Sequence, residues 1–310
     1  MERYLNCNLC ARGCGINRAN TRGACGVPSE LYISRAALHM WEEPIISGTG
    51  GSGTIFFSGC SLGCVYCQNR EISRGISGKP VSVARLAEIM LELEGQGAHN
   101  VNLVTPTHYA PSIIKAVSDA RAAGLGVPIV YNTGSYDTPE TVKSLEGTVD
   151  VYLPDLKYYL SKTAKSLSSA SDYPTVARAA IHSMVKQVGD PQLSSDNIIT
   201  RGVVVRILLL PGHLAEAKLN VKYLYSTYGD SVYLSLMNQY TPMPGMMPPL
   251  NRTVTRAEYR ELCDYAADLG VTRAFIQEGG AATESYIPPF DNTGVILRQE
   301  YHAVKSVFDG

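Results

Sequence analysis

The sequence predicts an α/β fold built on a parallel sheet. Three observations carry that expectation. After residue 50, short apolar runs alternate with stretches of helical periodicity, the pattern of successive βα units. Runs such as Val203-Val204-Val205 lack polar alternation, as expected of strands buried on both faces. The residues with unusual chemistry fall just after predicted strand ends, where ligands collect in parallel α/β folds. About six or seven such units could close into a full or partial barrel, or lie in an open doubly wound sheet. Periodicity does not separate these.

The elements follow in order. Strands are expected at Thr54–Ser58, Val101–Val104, Pro128–Tyr131, Val149–Leu153, Val203–Leu210, Ser231–Leu236 and Arg273–Gln277. The segment Ser82–Glu94 places Val83, Leu86, Ile89, Met90 and Leu93 on one helical face. Pro111–Ala123 is a second helix, ended by Gly124. Thr138-Pro139-Glu140 reads as an N-cap, a proline in the first turn and an acid suited to the helix dipole. Pro174–Val188 and Thr255–Leu269 complete the helices. The run Pro242-Met243-Pro244-Gly245-Met246-Met247-Pro248-Pro249 is too rich in proline for regular structure.

The chain has 310 residues, 45% hydrophobic and 18% charged, with a formal net charge of −1. That balance gives no electrostatic reason to expect nucleic acid or an anionic membrane as partner. The start has no apolar signal region and no run is long enough to span a bilayer. A cytoplasmic protein is expected. Of eight cysteines, seven lie in the first 67 residues. Such clustering in a long chain reads as metal ligation rather than as a disulfide scaffold. The eighth, Cys263, lies in a helical pattern and reads as a small buried hydrophobe.

Cys60, Cys64 and Cys67 share one loop, Gly59-Cys60-Ser61-Leu62-Gly63-Cys64-Val65-Tyr66-Cys67-Gln68-Asn69. Three thiolates at C-x3-C-x2-C spacing can hold three irons of a [4Fe–4S] cube and leave the fourth without a protein ligand. A zinc knuckle or part of a four-cysteine site is the alternative on spacing alone. The loop directly follows the first strand of the βα series, and in that setting it resembles the signature of the radical SAM enzymes. The chain is similar to the pyruvate formate-lyase activating enzyme group, in its PflX-like branch. The likeness runs through Cys7-Asn8-Leu9-Cys10, the cluster loop, Asn102-Leu103-Val104-Thr105-Pro106-Thr107-His108-Tyr109, Tyr152-Leu153-Pro154-Asp155-Leu156-Lys157 and Gln239-Tyr240-Thr241-Pro242.

That resemblance implies a partial (β/α)6-type barrel and a [4Fe–4S] cluster whose open iron binds S-adenosylmethionine. It also implies reductive cleavage to a 5′-deoxyadenosyl radical that abstracts hydrogen from a small-molecule or peptide substrate. The alternative is an activase that makes a glycyl radical on a partner enzyme. A reductant such as flavodoxin or ferredoxin would supply the electron. By the same resemblance Tyr66 lies near the adenine, Lys157 faces the cosubstrate carboxylate and Asp155 helps hold a monovalent cation. Asn132-Thr133-Gly134-Ser135 stands where the activating enzymes have Asp-Thr-Asn-Gly, so a cation ligand loses its charge while ribose contacts from Asn132 and Thr133 remain feasible. Thr105-Pro106-Thr107-His108 replaces Gly-Gly-Glu-Pro. Thr105 and Thr107 are candidate partners of the methionyl amine, and His108 a candidate catalytic acid or base. Arg206, inside a strand, needs a buried anionic partner, and Asn238 ends the next strand within reach of a ligand.

Cys7, Cys10, Cys14 and Cys25 form C-x2-C-x3-C-x10-C. Four such ligands would close a second metal site, either zinc or an auxiliary iron–sulfur cluster. The expected organisation is a cysteine-rich metal-binding segment over residues 1–50, then the barrel with a C-terminal extension over 51–310.

Overall fold

A computed structural model describes residues 2–277 and 288–295. The remainder of the expected C-terminal extension lies outside the described residues. The chain forms, in order, β1 (Leu31–His39), α1 (Pro44–Ser47), β2 (Ser52–Phe57), α2 (Arg70–Ser73), β3 (Lys79–Val81), α3 (Val83–Gly95), β4 (Val101–Val104) and α4 (Ala110–Ala122). There follow β5 (Ile129–Thr133), α5 (Pro139–Ser144), β6 (Val151–Pro154), α6 (Ser161–Ser168), α7 (Tyr173–Val188), β7 (Gln192–Leu193) and β8 (Ile199–Leu208). The described part ends with α8 (Leu214–Tyr228), β9 (Tyr233–Met237), α9 (Arg256–Asp268) and β10 (Ala274–Ile276).

The strands run β10-β9-β8-β6-β5-β4-β2-β1-β3 across one sheet, with β7 on β8. From β2 to β10 every neighbouring pair on this path is parallel. All seven strands expected from the sequence are these parallel ones. β1 pairs antiparallel with β2, and β3 with β1. The sheet therefore begins inside the residues expected to form the N-terminal segment.

Side-chain parity shows the curvature. Ile55, Phe57, Leu103, Tyr131, Tyr152, Val203, Val205 and Ile207 point outward into the core shared with the helices. Their alternates Val130, Val151, Leu153 and Val204 point inward and meet Ile45 and Ile46 of α1. The next inward positions, Asn132, Asp155, Arg206 and Ser235, line one cavity together with Phe56 and Phe275 from opposite edges of the parallel set. Residues of six strands can share a cavity only if the sheet wraps around it, as in a partial (β/α) barrel. No strand pair closes β10 onto β3 among the described residues.

Local signals set the helix starts. Ser82 and Thr138 cap α3 and α5 through their hydroxyls. Thr255 and Glu258 form a reciprocal capping box at α9. α1 starts at Pro44 and plugs the lower end of the lumen with Ile46 fully buried.

Candidate active site

The cluster loop leaves β2 through Gly59, whose φ of +88° favours glycine. A side chain there would also collide with the Cys25 carbonyl, 2.7 Å from the position of a Cβ. The loop is held from outside by the N-terminal segment. Arg12 donates to the carbonyls of Ser61 at 2.8 Å and Leu62 at 3.3 Å, and to those of Ser168 and Ser169 at the end of α6. The Cys60 N–H donates to the Cys25 carbonyl.

Donors are aimed at the loop's sulfurs. The Leu62 N–H points to Cys60 Sγ at 3.4 Å, and the Ser168 hydroxyl to Cys64 Sγ at 3.0 Å. Burial, with Cys64 and Cys67 close by, pushes the Cys60 thiol up to about 11. Three clustered sulfurs that oppose one another's ionisation are stabilised as thiolates when they share a cationic iron centre. Among the described residues no group of three or more His, Cys, Asp or Glu side chains is arranged to hold a single metal ion. A cube holds its thiolates at separate corners and needs no such convergence, so this donor set fits a [4Fe–4S] cluster.

Cys64, Tyr66 and Cys67 line the mouth of the barrel lumen, a cavity of about 290 Å³. The Tyr66 hydroxyl accepts from Tyr158, which stands 2.6 Å from Ser168 Oγ. A row of close polar contacts thus runs from the lumen tyrosine to the Cys64 sulfur.

Below the loop lies a buried charge network. Asp155 takes Lys157 Nζ at 2.6 Å and Arg206 Nε at 2.8 Å. Arg206 spends its other nitrogens on Asn132 Oδ1 at 2.5 Å and Glu42 Oε2 at 3.3 Å. Burial would raise the Asp155 carboxyl, but Arg206 and Lys157 outweigh it and hold the group low. Burial alone would lower Lys157, and Asp155 reverses the sign. Glu42 also accepts from Asn102 Nδ2 at 3.1 Å. Glu42 and Glu43 are both raised, by burial first and, against Arg206, by Asp155 for Glu42 and by Glu42 for Glu43.

The structure separates the sequence candidates. Tyr66, Asn132, Asp155, Lys157 and Arg206 converge on the lumen. His108 does not: it is 1% exposed, and its Nε2 is 2.8 Å from the Ser58 carbonyl behind the loop. Burial, then Arg18, lowers His108 to about 3, so the ring is neutral and Nε2–H is the donor. The short 3₁₀ turn Thr107–Tyr109 carries the ring outward from the strand end. His108 is thus not among the residues lining the lumen; its ring lies against the Ser58 carbonyl at the base of the loop. Thr133 donates to Asp137 at 2.6 Å and stands 3.4 Å from Thr107 Oγ1, so both hydroxyls serve that buried carboxyl. Thr105 takes a φ of 58°, and its N–H donates to the Asn132 carbonyl. The Asn238 N–H donates to Gln277 Oε1 at 2.7 Å, while Gln239 rather than Asn238 lines the lumen.

Sequence reasoning missed Glu42, Glu43, Asn102 and Ser235. The only signal was an acidic pair directly before Pro44, at the start of a four-residue helix too short to show periodicity.

The radical SAM superfamily profile matches residues 54–216, more than half of the chain, from β2 into α8. The chain belongs to the radical SAM superfamily. The match takes in the cluster loop and the Asp155–Arg206 network and leaves the floor acids and residues 1–53 outside it. The uncharacterized protein MJ0674 of Methanocaldococcus jannaschii is 30% identical over 274 residues, 85% of this chain and 75% of that protein. Among solved structures, Streptococcus suis SuiB bound to S-adenosylmethionine gives a TM-score of 0.46 at 14% identity, covering 71% of this chain and 48% of SuiB. A domain of pyruvate-formate lyase-activating enzyme from Bacteroides vulgatus gives 0.43 at 17% identity, over 58% of this chain and all of that domain. The FeFe-hydrogenase maturase HydG from Carboxydothermus hydrogenoformans gives 0.45 at 13%, over 81% of this chain and 63% of HydG. This radical SAM chain thus spans about half the length of SuiB. As a member of the superfamily it is an enzyme of S-adenosylmethionine-dependent radical chemistry. None of its described helices is long and apolar enough to cross a membrane.

Proposed function

We propose that the chain cleaves S-adenosylmethionine reductively at a [4Fe–4S] cluster on Cys60, Cys64 and Cys67, and directs the radical at a small-molecule or peptide substrate in the lumen. The observation that carries this reading is the opening of that loop onto a buried ion network. Cys64 and Cys67 share one cavity with Lys157, Asp155, Arg206 and Asn132. When bound, the cluster supplies the electron that splits the cosubstrate into methionine and a 5′-deoxyadenosyl radical. The residues of the chain bind and shield. Lys157, kept cationic by Asp155, suits a carboxylate. Tyr66 and Tyr240 offer aromatic faces on the same wall. The wrapped sheet walls the lumen, and α1 closes its lower end.

We also propose that Cys7, Cys10, Cys14 and Cys25 hold a second metal, zinc or an auxiliary cluster; their sulfurs do not converge on a single ion among the described residues, so zinc would have to draw them together. The segment has only a small core of its own around Tyr4, Cys7 and Leu9, which supports a metal staple.

The test is anaerobic reconstitution, reduction by dithionite or by flavodoxin or ferredoxin, and measurement of 5′-deoxyadenosine. Wild-type protein is expected to release it and Cys64→Ser not to. Equal yields from both would end the reading. A glycyl-radical doublet on an added partner enzyme, seen by electron paramagnetic resonance, would assign the activase role instead.

A further inference from the structure

The lumen has a floor of its own chemistry, distinct from the cluster end. Glu42 and Glu43 enter from below on the turn before α1, and Asn102 joins them from the inner face of β4. Besides His39, whose proton affinity is lowered by burial and then by Arg35, the floor and the wall above it carry the acids Glu42, Glu43 and Asp155 against Arg206 and Lys157. Glu42 and Asp155 are matched by Arg206 and Lys157. Glu43 is the acid left over.

On the floor itself the unused hydrogen-bonding capacity is that of acceptors. Each nitrogen of Arg206 already has an oxygen partner, so the guanidinium is not free for a substrate carboxylate. By contrast Glu43 Oε2 and Asn102 Oδ1 are buried without a partner. Glu43 is 7% exposed and lines the cavity. Buried acceptors left unpaired are costly, and they call for a ligand that donates. The wall beside them carries Phe56 and Phe275, apolar faces suited to an alkyl stem and to a nearby cation.

From this geometry we infer that the substrate carries a primary ammonium group, which seats on Glu43 at the lumen floor with its alkyl stem directed toward the cluster loop. An ammonium offers three donors and one positive charge, which answers both the unpaired acceptor and the surplus acid. The inference rests on the radical SAM reading of the lumen and adds a substrate class to it.

The test uses reconstituted full-length protein and calorimetry with three probes: n-butylammonium, n-butanol, and N-acetyl-Gly-Lys-Gly-amide. Butylammonium is expected to bind at least tenfold more tightly than butanol, and Glu43→Gln to abolish that preference. Glu43→Gln keeps the size of the side chain, and its fold is checked by far-ultraviolet circular dichroism and the unfolding midpoint, both expected to match wild type. Tighter binding of the tripeptide than of butylammonium would mark a peptide lysine as the source of the amine; the reverse would mark a free amine. Equal binding of butylammonium and butanol overturns the inference, as does full displacement of butylammonium by equimolar K⁺, or unchanged amine binding in Glu43→Gln. Loss of cosubstrate cleavage in wild-type protein would instead overturn the radical SAM reading, and the two failures are separately visible.

Discussion

The backbone N–H of Cys60 donates to the carbonyl of Cys25 at 3.3 Å. The first thiol of the cluster loop and the last cysteine of the N-terminal segment therefore meet through their main chains. Gly59 is what lets them approach, because a Cβ there would sit 2.7 Å from that same carbonyl. Gly59→Ala is expected to strain the loop by roughly 1–3 kcal/mol. The readout is iron per chain after reconstitution, expected to fall well below wild type, together with a lower unfolding midpoint. Full iron loading would show that the loop does not depend on this contact.

Cys14→Ser removes one proposed ligand of the second metal without touching the lumen. Cys14 is the most exposed of the four, and its Sγ accepts the Ala24 N–H at 3.4 Å. Metal analysis should show loss of one site's content, zinc or iron, while the S-adenosylmethionine-responsive signal of the loop cluster persists. Unchanged metal content would remove the second site.

Arg206→Met should be severe. It leaves Glu42 and Asp155 buried without their guanidinium partner, a class of change that costs about 3–5 kcal/mol. Urea unfolding reads the loss. The sign with pH is fixed by Asp155, whose folded value is held low by Arg206 and Lys157 against burial. Its contribution is present above the unfolded carboxyl value and disappears as pH falls through the lowered one. The gap between wild type and Arg206→Met should therefore narrow in acid.

His108 makes the second pH prediction. Its folded value is about 3, set by burial and then by Arg18, against an ordinary value of 6.5. Between these values the unfolded chain binds a proton that the native chain refuses, so stability falls as pH drops from 6.5 toward 3. The slope is at most ~1.4 kcal/mol per pH unit from this group. His108→Gln should flatten that part of the profile and lower cluster loading by loosening the Ser58 carbonyl. A mutant with an unchanged slope would mean that His108 is accessible to protons in the native state.

The central parallel strands were legible because they are buried on both faces and read as mainly apolar runs, while β10 at the edge is only half-buried. β1 was not, since half-buried positions interrupt its buried ones and its sequence carries Arg35. α8 hid for the opposite reason: Glu216 and Asn220 are buried on its inner face, where Glu216 takes the Tyr159 N–H and the Thr163 hydroxyl. The three loop cysteines were legible from spacing, because neighbours in sequence are neighbours in space. The need of Arg206 for a buried acid could be foreseen, but its partners could not. Asp155 lies 51 residues away and Glu42 lies 164; pairing of β6 with β8 brings the first to Arg206, and the turn before α1 brings the second. His108 was placed at the right strand end, but one 3₁₀ turn decides which way its ring faces.

β2 joins the two ends of the site. Its lower end follows directly from Glu42, Glu43 and α1, and its upper end runs into Gly59 and Cys60. Six residues of strand at about 3.3 Å each make a rod of about 20 Å. β2 is in effect a ruler. The spacing between carboxyl floor and thiol roof is set by the number of peptide units in that strand, while the other strands supply the wall. A residue inserted there would lengthen the gauge by one unit and reverse the facing of every side chain beyond it. The reach from bound substrate to reacting centre is thus written in covalent length.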